Sequence, residues 1–254
     1  MLPVTLEDAT KIVQALLYSG KEYVGVMKLH AEAKIGQVRR VMEEFEDVIY
    51  QRPPLRASVK RQLRTRRIYY MDFLEMEGRN VLFKVGCEGG TYIRKLYFDI
   101  GEILGTGAHM QELRRTRAGP FSENSMTRVT LHDLAYAFGE WEEKKDEKIL
   151  HEFIQPMENA LALLPKIVVR DSAVDALCHG ANLTAPGVIS VEAGIEKESV
   201  VAVLSLKGEA IALADACMSA QEILDANHGT VATLQRVVMP RGTYPRVWKS
   251  GRKE

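Results

Sequence analysis

Between residues 22 and 30, Tyr23, Met27 and Leu29 fall on one side of an extended chain and Val24 and Val26 on the other. Side chains alternate across a strand, so this spacing predicts a strand. Upstream, Ile12, Val13, Leu16 and Leu17 share one helical face, and Gly20 follows; the pattern predicts a helix that stops there. Thr5-Leu6-Glu7-Asp8 at its start resembles a capping box with Asp at the last position. Residues 35–45 are amphipathic with helical period. Pro53-Pro54 fits neither a helix interior nor a central strand, and opens a loop. Residues 68–76 and 81–87 read as two strands about the turn Gly78-Arg79-Asn80. Gly89-Gly90 breaks that pattern. A helix then runs through Leu96, Ile100 and Leu104 to Gly105 and Gly107, and a strand covers 109–115. Thr130 to Asp133 is again a capping box with Asp last, opening a helix toward Trp141, and the charged stretch to Lys148 reads as a surface connector.

The pattern changes at Leu164-Pro165. Short β-rich segments follow at 166–169, 187–191, 200–206, 210–213 and 231–238, with one helix at 173–179. Strands at this spacing predict a small barrel and a domain boundary near Pro165. The residues by themselves thus give an α/β domain followed by a small β barrel.

Charge refines this picture by its distribution. Lys plus Arg equals Asp plus Glu at 34 each, yet Arg52, Arg56, Lys60, Arg61, Arg64, Arg66 and Arg67 occur in one stretch without an acid. Arg114, Arg115 and Arg117 form a second cluster. Arg236, Arg241, Arg246, Lys249, Arg252 and Lys253 mark the C-terminal region, and acid collects around 140–152. Such segregation gives either a basic face for nucleic acid or ordinary solvated surface. Cys87, Cys178 and Cys217 are isolated, which predicts no structural zinc and a reducing, cytoplasmic setting. No apolar run reaches membrane-spanning length, and the start is unlike a signal peptide. His109, His132 and His179 have no ligand spacing, and the glycines from Gly86 to Gly90 lack the ending of a phosphate loop.

Four strings in order carry a resemblance. They are Lys21-Glu22-Tyr23-Val24, Tyr50-Gln51-Arg52-Pro53-Pro54, Gly89-Gly90-Thr91-Tyr92-Ile93-Arg94, and Gly107-Ala108-His109-Met110 through Leu113-Arg114-Arg115. Together they resemble the TruB and dyskerin family of pseudouridine synthases. Arg114 to Phe121 and Arg170 to Ala176, leading into Cys178-His179-Gly180-Ala181, are similar to its dyskerin branch, and the lack of a long Lys-rich tail is similar to archaeal members. The resemblance implies an α+β fold: a mixed, mostly antiparallel sheet with flanking helices over 1–164, incomplete at its N-terminus, then a PUA RNA-binding barrel over 165–245 and a basic tail over 246–254. It implies cofactor-free isomerisation of uridine to pseudouridine in ribosomal RNA, and also in transfer RNA, directed by a box H/ACA guide RNA. The implied partners are a small zinc-ribbon protein, a small β-barrel accessory protein and a kink-turn-binding ribosomal-type protein.

The resemblance also implies residue roles. Tyr23 stacks on the displaced base, although a strand tyrosine can simply pack in a core. Arg94 pairs with the catalytic aspartate, which suits a permanently charged fork. Leu113 walls the uridine pocket. Arg52, Arg61, Arg64 and Arg66 are expected beside substrate RNA, and Arg170, Lys207, Arg236 and Arg241 on the ACA end of the guide. The family carries its catalytic aspartate in a Gly-Thr-Leu-Asp-Pro-like loop just before the segment matching Leu2-Pro3-Val4. No Asp-Pro dipeptide occurs in these 254 residues, and Asp8 matches a different position. A truncated product, one piece of a split protein and a non-catalytic RNA-binding relative all fit. The expectation is that this chain alone is inactive.

Overall fold

A computed structural model of the chain describes residues 1–53, 60–125 and 127–246. Arg56, Lys249, Arg252 and Lys253, and with them most of the basic tail, lie outside the described residues. Contacts divide the chain into two compact units, residues 1–3 with 16–153, and residues 4–15 with those from 154 onward.

The first unit is built on six strands, β1 (Lys21–Leu29), β2 (Asp47–Gln51), β3 (Arg64–Glu77), β4 (Asn80–Cys87), β5 (Ala108–Ala118) and β6 (Phe121–Ser122), in the order β2-β3-β4-β1-β5-β6. Every pairing among them is antiparallel. Two helices, α2 (Ile35–Glu44) and α3 (Ile93–Leu104), bury their apolar faces on this sheet; α1 (Val13–Tyr18) precedes β1. Met27 and Leu29 of β1, Phe83 and Val85 of β4, Val38 and Met42 of α2, and Leu96, Tyr97 and Ile100 of α3 form one core. A fully buried side chain of this kind contributes about 1.5–3 kcal/mol. The predicted alternation in β1 is therefore real, with Met27 and Leu29 inward. Gly105 ends α3 in the left-handed region at φ 72°, where a side chain would be strained. The Thr130–Asp133 box forms as expected and opens α4 (Leu131–Lys144), while the connector after it folds into a short helix, α5 (Lys148–Phe153).

Several boundaries differ from the sequence pattern. The first helix begins as a 3₁₀ turn over Glu7–Ile12 with Leu6 at its N-cap, and no Thr5 cap forms. Glu7 sits at φ 47°, which displaces the start past Thr5. β2 is an added strand. It recruits Arg64 to Arg67, expected in the basic loop, as its pairing partner: Gln51 faces Arg64 and Val48 faces Arg67. β5 runs on to Ala118 and contains a bulge described below.

The second unit carries β7 (Lys166–Val169), β8 (Leu183–Thr184), β9 (Val188–Val191), β10 (Val200–Leu204), β11 (Ala210–Ala216) and β12 (Thr230–Val237), ordered β8-β12-β11-β10-β7-β9. This barrel-like sheet contains one parallel pairing, β7 with β10. β10 and β11 are almost wholly buried and almost wholly apolar, as strands covered on both faces must be. Helix α6 (Asp171–Cys178) matches the predicted one. Helix α7 (Ala220–Asp225) is additional; its cap is the pair Ser219 and Glu222, whose side chains bond each other's backbone N–H. Residues 7–12 pack here too, and the Lys11 ammonium donates to Val238 O at 3.4 Å. Among the described residues no helix is long and apolar enough to cross a membrane.

Candidate functional site

β1 occupies the middle of the first sheet, between β4 and β5. On the face that carries the helices its residues form successive rows across the three strands. Cys87, Lys21 and Ala118 make one row, Val85, Tyr23 and Arg115 the next, and Phe83, Gly25 and Leu113 the third. Gly25 leaves a gap that Tyr97 of α3 fills. A Cβ at Gly25 would collide with the Tyr97 hydroxyl, with Glu112 O at 2.6 Å and with Leu113 Cδ1 at 2.9 Å. Tyr97 is held there by its ring contact with Phe83 (centroids 4.8 Å apart), and its buried hydroxyl finds no hydrogen-bond partner among the described residues. Burial raises its pKa. Leu113 remains 37% exposed. The structure thus brings Tyr23 and Leu113 together, with an aromatic floor beneath Gly25.

The surroundings of Tyr23 are cationic. Its hydroxyl accepts a hydrogen bond from Arg115; burial nevertheless raises its pKa. Lys21 is buried and donates to Leu16 O (2.8 Å), Leu17 O (2.6 Å) and Ser19 O (2.6 Å), so it closes the C-terminal end of α1. Its pKa is lowered, first by burial and then by the Arg115 charge. The Cys87 thiol beside them is pushed up to about 11 by burial and stays neutral at physiological pH.

The opposite face of the same strands holds a polar clamp. Glu22 accepts from the Tyr70 hydroxyl at 2.5 Å and the Thr116 hydroxyl at 2.6 Å, and Arg117 leans on Tyr70 at 3.4 Å. Burial pushes the Glu22 carboxyl up. The two hydroxyl bonds and the nearby Lys84 and Arg117 charges outweigh it and hold the carboxyl below its usual range. The register of β1 on β5 shifts at this point, because Glu22 pairs with Arg117 and Tyr23 with Arg115, leaving Thr116 as an extra residue. It is a β-bulge, a device that re-aims side chains. Strict alternation would put Arg115 and Arg117 on one face; the bulge separates them, Arg115 to Tyr23 and Arg117 to Tyr70.

Arg94 lies exposed in the first turn of α3 and lines a groove of about 900 Å³. Arg52, Arg61, Lys95, Tyr50 and Phe98 line the same groove. Gln51 sets this helix start, its side-chain amide donating to Tyr92 O at 3.2 Å and accepting from Tyr92 N at 3.0 Å. The Arg64 guanidinium donates to Lys60 O at 3.4 Å. Arg66 is turned inward, 21% exposed, against Gly90 and near Glu88 at 3.5 Å. In the second unit Arg170, Lys207, Arg236 and Arg241 are all exposed. Lys207 lies over the Tyr244 ring, whose hydroxyl donates to Glu209 at 2.5 Å. Gln51, Glu22 and Arg115 stood inside strings noticed in the sequence, but their pairings depend on strand register.

Two family models match the chain: the tRNA pseudouridylate synthase B C-terminal domain over residues 94–162, and the PUA domain over residues 165–238. A protein of Archaeoglobus fulgidus named "Probable tRNA pseudouridine synthase B" is 56% identical over 250 residues, covering 98% of this chain and 76% of the relative. Its namesake in Methanopyrus kandleri is 54% identical over 248 residues, covering 98% of this chain and 73% of the relative. Among solved structures, a crystal structure of a Cbf5-Nop10-Gar1 complex matches with a TM-score of 0.93 at 51% identity, over 97% of this chain and 75% of that one. A structure of an H/ACA RNP bound to a substrate RNA containing 2′-deoxyuridine matches with a TM-score of 0.87 at 48% identity, over 96% of this chain and 74% of that one.

Proposed function

We propose, for a chain that belongs to the archaeal tRNA pseudouridine synthase B family of Cbf5 type, that it supplies the uridine-holding and RNA-binding surfaces of a guide-directed pseudouridine synthase. Its family makes it an isomerase of RNA uridine with a PUA domain. The observation that carries the finer reading is the pair of rows on β1 and β5, where partly exposed Tyr23 and apolar Leu113 flank Gly25 above buried Tyr97. An aromatic ring and an apolar wall on a rigid sheet suit a base taken out of its stack. Tyr23 stacks on the uracil and Leu113 bounds it. Arg94, at the start of α3, is the cation to face the catalytic carboxylate of the family.

RNA contacts follow the exposed cations. Arg52, Arg61 and Arg64 lie along the substrate strand with the exposed edge of Arg66. Arg170, Lys207, Arg236 and Arg241 meet the ACA end of a box H/ACA guide, with 165–245 as the guide-binding domain. The implied assembly contains the zinc-ribbon, β-barrel and kink-turn-binding proteins. Support comes from the similar structures, which contain Nop10, Gar1 and an H/ACA RNP with substrate RNA. The substrates are ribosomal and transfer RNA uridines.

A uridine isomerisation assay with the 254-residue chain, with and without guide RNA, tests this reading alongside binding of the same RNAs. Binding without isomerisation is expected, and Tyr23→Ala should weaken binding to an RNA with a flipped uridine. Replacing Arg52, Arg61 and Arg64 together by Ala should weaken binding across sequences and reduce the salt slope by about 2. Isomerisation of a transfer-RNA stem-loop by this chain without any guide would replace the reading with a stand-alone transfer-RNA enzyme.

A further inference from the structure

We infer that Arg115 binds the phosphate next to the uridine that stacks on Tyr23, and so fixes where that nucleotide sits along the strand. The inference rests on the stacking role proposed for Tyr23. Three observations carry it. First, the bulge at Thr116 places Arg115 directly across from Tyr23 and sends Arg117 to the other face. The Glu22 carboxylate holds that bulge by bonds to Thr116 and Tyr70, so the placement is built by these three side chains rather than by one flexible arginine.

Second, Arg115 has no carboxylate within ion-pair distance among the described residues, unlike Arg114, which pairs with Glu123 at 2.6 Å. Its Nε donates to Met1 O at 2.9 Å and its guanidinium reaches the Tyr23 hydroxyl. A planar fork with donors to spare suits a phosphodiester. Third, the charge that acts on Arg115 from the adjoining row is also positive. Lys21 is buried in the adjoining row, with its donors already committed to three carbonyls. Lys21 therefore supplies field rather than contact, and two cations without an ion-pair partner among the described residues make an anion-attracting spot. The ring of Tyr23 takes the base while the adjoining guanidinium takes the charge of its backbone.

The test uses the 254-residue chain and an RNA stem-loop with one uridine in its loop. The linkages 5′ and 3′ of that uridine, and one in the stem, are replaced in turn by a neutral methylphosphonate. For the wild type, one of the two flanking replacements is expected to lower affinity about tenfold or more, the range of a charge-assisted hydrogen bond. Arg115→Gln is expected to lower affinity for the unmodified RNA by a similar factor and to show little further loss with that methylphosphonate. Arg115→Lys keeps the charge without the fork and should show a reduced but measurable coupling, which also guards against misfolding of the Gln variant. Equal methylphosphonate losses in all three proteins, or coupling at the stem linkage instead, overturn the inference. In parallel, an abasic site at the uridine is paired with Tyr23→Ala. If that pair is coupled and the Arg115 pair is not, only the Arg115 inference falls; if neither is coupled, the stacking reading falls as well.

Discussion

Gly25→Ala is the sharpest test of the site as a packed object. Gly25 is buried in β1, and its φ is not in the left-handed region. On backbone grounds alone alanine should help, because glycine in a strand interior is destabilising by roughly 0.5–1 kcal/mol relative to alanine. The surroundings reverse that sign. The new Cβ would meet Glu112 O at 2.6 Å, Leu113 Cδ1 at 2.9 Å and the Tyr97 hydroxyl. Leu113 is partly exposed and can rotate away. The Glu112 carbonyl belongs to the neighbouring strand, and Tyr97 is fully buried against Phe83. With two of three neighbours unable to yield, overpacking should cost about 3 kcal/mol. Urea unfolding followed by circular dichroism measures it, with Gly36→Ala as control: no atom lies within 4 Å of a Cβ there, and in α2 that change should stabilise by about 0.5–1 kcal/mol. Tyr97→Phe removes a buried hydroxyl that has no partner among the described residues, so alone it should be neutral or stabilise by about 1 kcal/mol. Combined with Gly25→Ala it should recover about 1 kcal/mol, since the two residues touch. A Gly25→Ala protein within about 0.5 kcal/mol of wild type, or strict additivity with Tyr97→Phe, would refute the packing argument.

Glu222 should titrate at about 2 in the folded protein, because Lys197 and then the Ser219 backbone favour its charged form; carbon-detected NMR checks this, and Lys197→Ala should raise it. A folded pKa below the unfolded value of about 4.3 means that this contribution is full above pH ~4.3 and is lost as pH falls toward 2. The Glu22 clamp has the same sign, its carboxyl being held low. Urea midpoints from pH 6 to pH 3 should therefore fall more steeply for wild type than for Glu22→Gln, and parallel curves would show that the clamp contributes nothing. Arg66→Ala should reduce folding stability more than RNA affinity, given its inward position against Gly90 and Glu88; the opposite ranking in melting and binding experiments would return it to the RNA surface.

The strands that make the site were legible wherever a single period governed them. β1, β4 and α3 carry clean alternation or helical spacing because each has one buried face, so periodicity alone gives a domain of helices and strands there; the α+β assignment comes from the family resemblance. Where two residues share a face through an irregularity, spacing misleads. Arg115 and Arg117 are two apart and should point the same way, yet the extra residue Thr116 parts them. β2 escaped notice because four of its five residues remain exposed or partly exposed, so no buried period marks it. Ser219 and Glu222 had the spacing of a capping box and could have revealed α7. Gln51 could not have been foreseen as the partner of Tyr92, since 41 positions separate them and only the fold joins them. Tyr23 and Leu113 stand out in the sequence only through family-like strings, and it is the strand register that puts them in neighbouring rows.

The second unit is assembled from both ends of the described chain, and this sets an order of events during synthesis. Lys11 meets Val238, 227 positions later. At a ribosome adding roughly 5–20 residues per second, the early segment must wait on the order of ten seconds or more for its neighbours. Meanwhile the first unit, whose residues end at 153, is free to form. The waiting segment is apolar at Leu6, Ile12 and Val13 and so offers nascent-chain chaperones a binding stretch. A barrel expressed from residue 154 onward would lack its oldest residues, and grafting 4–15 onto its end through a linker is the permutation most suited to restoring it.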